Sequence, residues 1–103
     1  TYAIDVIFVW QPALFAKETL IEGEFHILED LETASPNFIS LYKEVDTIVR
    51  SRIKNENLNN IIILTSLFAE NEQAIFYDLV HITEIGNLAV AEALLPTVLD
   101  LLE

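Results

Sequence analysis

Asp78 and His81 are the residues whose types and spacing most directly allow chemistry in this chain. An imidazole takes and gives a proton near neutral pH because its ordinary pKa lies there. A carboxylate beside one ring nitrogen fixes the tautomer and stabilises the imidazolium that forms when the other nitrogen is protonated. The pair therefore supplies a general base and its orienting group, two members of a hydrolytic triad. The third would be an activated nucleophile. Ser35, Ser40, Ser51 and Ser66 are the serines present, and none follows Gly-Asp. Cysteine is absent, which removes thiolate nucleophiles, disulfides and zinc–thiolate sites.

The pair belongs to a longer string. Asp78, His81, Thr83, Gly86 and Asn87 follow an apolar stretch and lead into a helix pattern that contains Ala91. Residues 75–102 thereby resemble the closing block of the SGNH (GDSL-type) hydrolases, esterases and acyltransferases. In that family an Asp-x-x-His loop follows the last strand and precedes a C-terminal helix. Val6, Ile7, Phe8, Val9 and Trp10, running into Gln11-Pro12, resemble the family's penultimate strand and the turn after it.

The resemblance implies a flavodoxin-like, three-layer α/β sandwich with a parallel sheet and flanking helices. It implies His81 as general base and later general acid, Asp78 as its orienting partner, and no cofactor. The substrate would be an acyl ester, carried on a lipid or an acetylated carbohydrate, with water or a hydroxyl as acceptor. The family's Gly-Asp-Ser block, and the later Gly and Asn that complete its oxyanion hole, have no match here. The expectation is that residues 1–103 are a single incomplete α/β domain, the C-terminal part of such a hydrolase or acyltransferase, inactive alone. A non-catalytic α/β interaction module, or a degenerate relative that keeps the closing block, stands as the alternative.

Other candidates have plainer readings. His26 lies among Glu24, Glu29 and Asp30 and reads as a solvated surface histidine. Glu22, Glu24, Glu29, Asp30 and Glu32 form an acidic cluster without the spacing of a calcium loop, so a solvated helix face is expected. Asp78, His81 and Glu84 form a three-donor set with no fourth ligand, too few for a closed metal site. Trp10 is expected in the core at the carboxyl end of its strand. Thr83 reads as a helix cap, Gly86 as a point of close backbone approach, and Asn87 as a bridge to the loop through its amide.

Composition bounds the remaining possibilities. The 103 residues suffice for one domain, and 52% of them are hydrophobic. Seventeen Asp and Glu against five Lys and Arg give a net charge of −12, which disfavours nucleic acid and anionic membranes as partners. The longest uninterrupted apolar run, residues 6–10, is far shorter than the ~20 residues a transmembrane helix requires, so no membrane segment is expected.

The elements that must position the pair follow from periodicity. Residues 2–10 read as a buried strand stopped by Gln11-Pro12. Thr19 and Glu22 read as a capping box for a helix to about Glu32. Ser35 and Pro36 read as N-cap and first position of a second helix. Phe38, Leu41, Tyr42, Val45, Ile48, Val49 and Ile53 form its apolar face, with Lys43, Glu44, Asp46, Arg50 and Lys54 opposite and asparagines after it. Residues 60–65 are a second strand, residues 66–81 mostly loop, and a last helix starts after Thr83 and is interrupted at Pro96. This order makes a parallel strand–crossover–strand unit. Two strands alone cover little apolar surface, so an exposed strand edge open to self-association is expected.

Overall fold

The computed structural model describes residues 5–102. Its elements are β1 (Phe8–Trp10), a 3₁₀ turn (Leu14–Ala16), α1 (Glu22–Ala34), α2 (Phe38–Asn55), β2 (Ile61–Ile63) and α3 (Glu84–Leu102). β1 and β2 are parallel neighbours in the register Phe8–Ile61, Val9–Ile62, Trp10–Ile63. The coarse α/β expectation is met: three α-helices and a two-stranded parallel sheet. Both strands are shorter than expected, and Tyr2, Ala3 and Ile4 lie outside the described residues. Backbone bonds extend the ladder, from Phe8 N–H to Asn60 O at 2.8 Å and from Leu64 N–H to Trp10 O at 2.8 Å.

Helix boundaries shift for identifiable reasons. Thr19 does not cap α1, because Glu18 and Thr19 donate their N–H groups to Ala69 O at 2.7 and 3.2 Å. The N-cap falls two residues later, at Ile21, where Glu24 rather than Glu22 reaches back to the Ile21 N–H at 3.3 Å. α1 then runs through Ala34, which makes Ser35 its C-cap instead of the N-cap of α2. Asn37, at φ 75°, turns the chain into α2; asparagine tolerates this left-handed backbone better than most residues. Asn57, at φ 54°, ends α2. Leu58 N–H then reaches Ile53 O at 3.1 Å and Asn57 N–H reaches Lys54 O at 3.3 Å, the bonding pattern of a Schellman cap.

α3 departs from expectation at one point. Pro96 does not split it. At 19 residues it is long and apolar enough, by length and composition alone, to cross a membrane, although its uninterrupted runs are short. No unbroken run reveals this, because Glu92 and Asp100 both interrupt the apolar stretch.

The best-packed core does not lie under the sheet. Leu14, Phe68, Ile75 and Phe76 are buried together, with Leu20, Ile27, Leu28, Leu79, Ile82, Ala89 and Val90 packed around them. Phe68 and Phe76 meet edge to face at 5.9 Å, a favoured aromatic geometry. The segment between β2 and α3, expected to be mostly loop, supplies Phe68, Ile75 and Phe76 to this core. It forms the floor beneath Asp78 and His81.

Candidate active site

The Asp78–His81 turn is built on a two-rung ladder. Phe76 and Ile82 form an antiparallel bridge. Tyr77 N–H donates to His81 O at 2.8 Å, and Thr83 N–H donates to Ile75 O at 2.7 Å. The turn is also tied to the segment after β1, because Leu14 N–H donates to Leu79 O at 2.9 Å.

Asp78 spans this turn with both oxygens. Oδ1 accepts the N–H groups of Val80 and His81 at 2.9 and 2.8 Å, and Oδ2 meets His81 Nδ1 at 2.7 Å. The His81 and Val80 amides, with the imidazole, hold the Asp78 carboxyl below its ordinary range. An ionised Asp78 requires a hydrogen on Nδ1 for that contact, which leaves Nε2 as the basic nitrogen. The spacing of three residues therefore produces the contact expected of it. Both side chains are exposed, His81 at 76% and Asp78 at 54%, so solvent reaches the pair freely.

His81 stands on a ridge between two grooves. One, of about 500 Å³, is lined by Val9, Gln11, Pro12, Tyr77, Asn87 and Val90 among others. The second, also about 500 Å³, runs against α1 along Ile27, Asp30, Leu31 and Leu79. The first places His81 beside the carboxyl end of β1, where parallel α/β sheets commonly receive ligands. Neither groove is lined by a serine. Ser66 lies at the end of β2 and accepts from Arg50 Nη2 at 2.7 Å, Ser51 accepts from Asn55, and Ser35 and Ser40 border a separate surface groove.

Thr83 caps α3: its Oγ1 accepts the Gly86 N–H at 3.5 Å, its carbonyl accepts the Asn87 N–H at 2.9 Å, and its hydroxyl donates to Ala74 O at 3.0 Å. Gly86 is buried, and a Cβ there would stand 3.0 Å from Ile82 Cβ and 3.1 Å from Ile75 Cγ2. Close approach accounts for this glycine. Asn87 lines the groove beside His81, and no side-chain hydrogen bond ties it to the loop among the described residues. His26 is exposed on α1, with Glu22 and Glu29 oxygens 3.7 and 3.8 Å away.

Two carboxylates depart from the solvated faces expected for them. Asp46 is buried and gathers the Trp10 indole N–H at 2.7 Å, the Thr65 hydroxyl at 3.0 Å and Arg50 Nε at 3.0 Å. It joins α2 to the carboxyl ends of both strands. Glu24 is completely buried and pairs with buried Lys17 beneath the Asp78–His81 turn. Burial would push its carboxyl up, but the Lys17 ammonium and the Phe76, Ile21 and Ile75 amides outweigh that and hold it below its ordinary value. A sequence signal for both exists: each stands where its helix's apolar stripe would place a hydrophobic residue. Glu24 precedes Ile27, Leu28 and Leu31, and Asp46 lies between Tyr42 and Val49.

Among the described residues, no group of three or more His, Asp or Glu is placed to hold a metal ion. No family model, curated protein or solved structure matches the chain.

Proposed function

We propose that the chain is the C-terminal part of a serine ester hydrolase or acyltransferase of SGNH type, with His81 as general base and Asp78 as its orienting carboxylate. The observation that carries this reading is the geometry of Asp78. One oxygen is fixed by two backbone amides, so the other meets Nδ1 at a set position and Nε2 is left to receive a proton. In the proposed reaction Nε2 takes the proton of a serine hydroxyl as its oxygen attacks the ester carbonyl. The same nitrogen then returns the proton to the departing alkoxide. The serine and the oxyanion donors come from a preceding segment that docks over the β1 side of His81. The apolar character of the groove walls, Val9, Pro12, Tyr77 and Val90, suits an acyl chain or an acetyl group.

In this reading α3 belongs to the domain rather than to a bilayer. Its first turns are fastened to the protein by Gly86 against Ile75 and Ile82, and by Ala89 and Val90 in the core. A second reading, a non-catalytic interaction module, is favoured by one observation: no serine among the described residues borders His81.

Kinetics separate the two. The chain alone should turn over p-nitrophenyl acetate no faster than free imidazole and should take up no serine-directed fluorophosphonate. Joined to a preceding Gly-Asp-Ser segment, His81→Ala should lower kcat by about 10⁶. Asp78→Asn should lower it by about 10⁴ through loss of the productive tautomer. His26→Ala should leave kcat/KM unchanged. An inactive joined protein, or one indifferent to His81→Ala, would leave the interaction module as the better reading.

A further inference from the structure

We propose that Glu24, clamped by Lys17, is the positioning residue of the Asp78–His81 pair, holding its turn by the backbone from below. Its consequence for catalysis rests on the hydrolytic reading above, whereas the clamp does not. Glu24 lies in the first turn of α1 with its side chain 1% exposed. Oε1 pairs with Lys17 Nζ and accepts the Ile21 N–H; Oε2 accepts the N–H groups of Ile75 and Phe76, both at 3.1 Å. Lys17 Nζ also donates to Gln73 O at 2.7 Å. The ion pair therefore grips the chain at Gln73, Ile75 and Phe76, directly before the rungs from which the turn hangs.

An ion pair formed only for stability would leave Glu24 Oε2 with no such task. Here that oxygen is committed to two successive amides at the root of the turn. Neither amide has another acceptor among the described residues, and a buried donor left unpaired is costly. Burying a carboxylate and an ammonium is costly as well, and fixing a unique register is the best-attested use of such a pair. The register fixed here is that of Phe76 with Ile82, because shifting Ile75 and Phe76 would displace the bond from Tyr77 N–H to His81 O. That bond and the Asp78 bonds close the same turn, so Glu24 reaches the imidazole through one short stretch of backbone.

The test uses the double variant Lys17→Met/Glu24→Gln, which removes both charges at nearly constant side-chain length. Amide exchange at Ile75, Phe76 and Tyr77 should accelerate by about tenfold or more beyond the change at Ile62 and Leu64. The His81 ring nitrogen resonances, read by NMR, should move toward those of a solvent-averaged imidazole. Asp46→Asn, which loosens the other buried carboxylate, should leave the His81 signals in place. Should the double variant fail to fold, Glu24→Asp, which keeps the charge but withdraws it by one methylene, reads the same signals. A uniform rise in exchange, unchanged His81 resonances, or an equal response to Asp46→Asn would each overturn the proposal. If the turn loosens as stated while His81→Ala in the joined protein leaves turnover intact, the hydrolytic reading fails and the clamp stands.

Discussion

Glu24 and Asp78 both carry carboxyl groups held below the ordinary range, yet they answer to different surroundings. Asp78 is exposed and owes its state to the two amides and the imidazole of its own turn. Glu24 is buried and owes its state to an ammonium, to the Phe76 and Ile75 amides from distant positions, and to the nearby Ile21 amide. A carboxylate whose folded pKa lies below its unfolded value stabilises the fold fully above the unfolded value, about 4.3 for glutamate. That contribution is lost as pH falls through the lower, folded value. The net charge of −12 acts the other way, since protonating surface carboxylates relieves repulsion. Comparing variants isolates the buried group. Glu24→Gln should cost on the order of 3 kcal/mol near neutral pH, because it leaves Lys17 buried without its partner. The gap to wild type should narrow steadily below about pH 4. Denaturant unfolding of both proteins from pH 7 to pH 2 measures it, and a gap that stayed constant would mean that Glu24 is not ionised in the folded state. The same pair shows what was legible beforehand. Asp78 and His81 could be read because their contact is local. Glu24's place on an apolar stripe was legible too, but its clamp with Lys17 was not, because the partners Gln73, Ile75 and Phe76 are brought to it only by the tertiary fold.

At the scale of elements, local chemistry placed the helices and tertiary ties moved their ends. Of the asparagines expected to end α2, Asn57 does so with left-handed backbone while Asn55 is still helical, and Thr83 caps α3 as its hydroxyl allows. Thr19 and Ser35 failed as N-caps because each was already committed elsewhere, Thr19 to Ala69 and Ser35 to the last turn of α1. The apolar stripe of α2 was likewise only partly legible. Tyr42, Val49 and Ile53 are half-buried, whereas Leu41, Val45 and Ile48 on the same stripe face outward. The start of α3 gives a direct test of element docking. Ala is a better helix former than Gly by about 0.8–1 kcal/mol. At Gly86, however, the added methyl must displace Ile82 Cβ, which is fixed to the backbone, and Ile75, which is in the core. Overpacking of that kind costs about 1–3 kcal/mol, so Gly86→Ala should be net destabilising by about 1 kcal/mol. Gly23→Ala meets nothing within 4 Å and should be stabilising. Equal effects of the two substitutions in urea melts would refute the docking argument.

The molecule as a whole leaves unusual surface uncovered. Its accessible area is 7352 Å², against about 5,900 Å² for a compact monomer of this mass. Its radius of gyration is 15.5 Å, against about 13 Å for a compact chain of this length. Exposed large hydrophobic side chains concentrate in two places. Phe8, Val9, Leu41, Val45 and Ile48 are exposed along β1 and α2, and Leu88, Leu95, Val98, Leu99 and Leu102 along α3. The first patch surrounds a groove of about 530 Å³ running from Phe8 to Ile48 and Leu58, beside a two-stranded sheet whose edges offer unpaired backbone groups. Apolar patches of this extent are rarely left open on monomeric proteins. The chain should therefore self-associate. The acidic surplus opposes this by long-range repulsion, which salt screens, the screening length falling from about 10 Å at 0.1 M to about 3 Å at 1 M. Association measured by analytical ultracentrifugation should accordingly strengthen as salt rises. An association held by ion pairs would weaken instead. Ile48→Lys, which places a charge in the first patch without touching the core, should shift the protein toward monomer at every salt concentration. Leu88→Lys tests the α3 patch in the same way, and whichever variant has the larger effect identifies the contact. A chain that stays monomeric at high salt and binds no apolar dye would show that these surfaces are covered by a rearrangement within the chain itself.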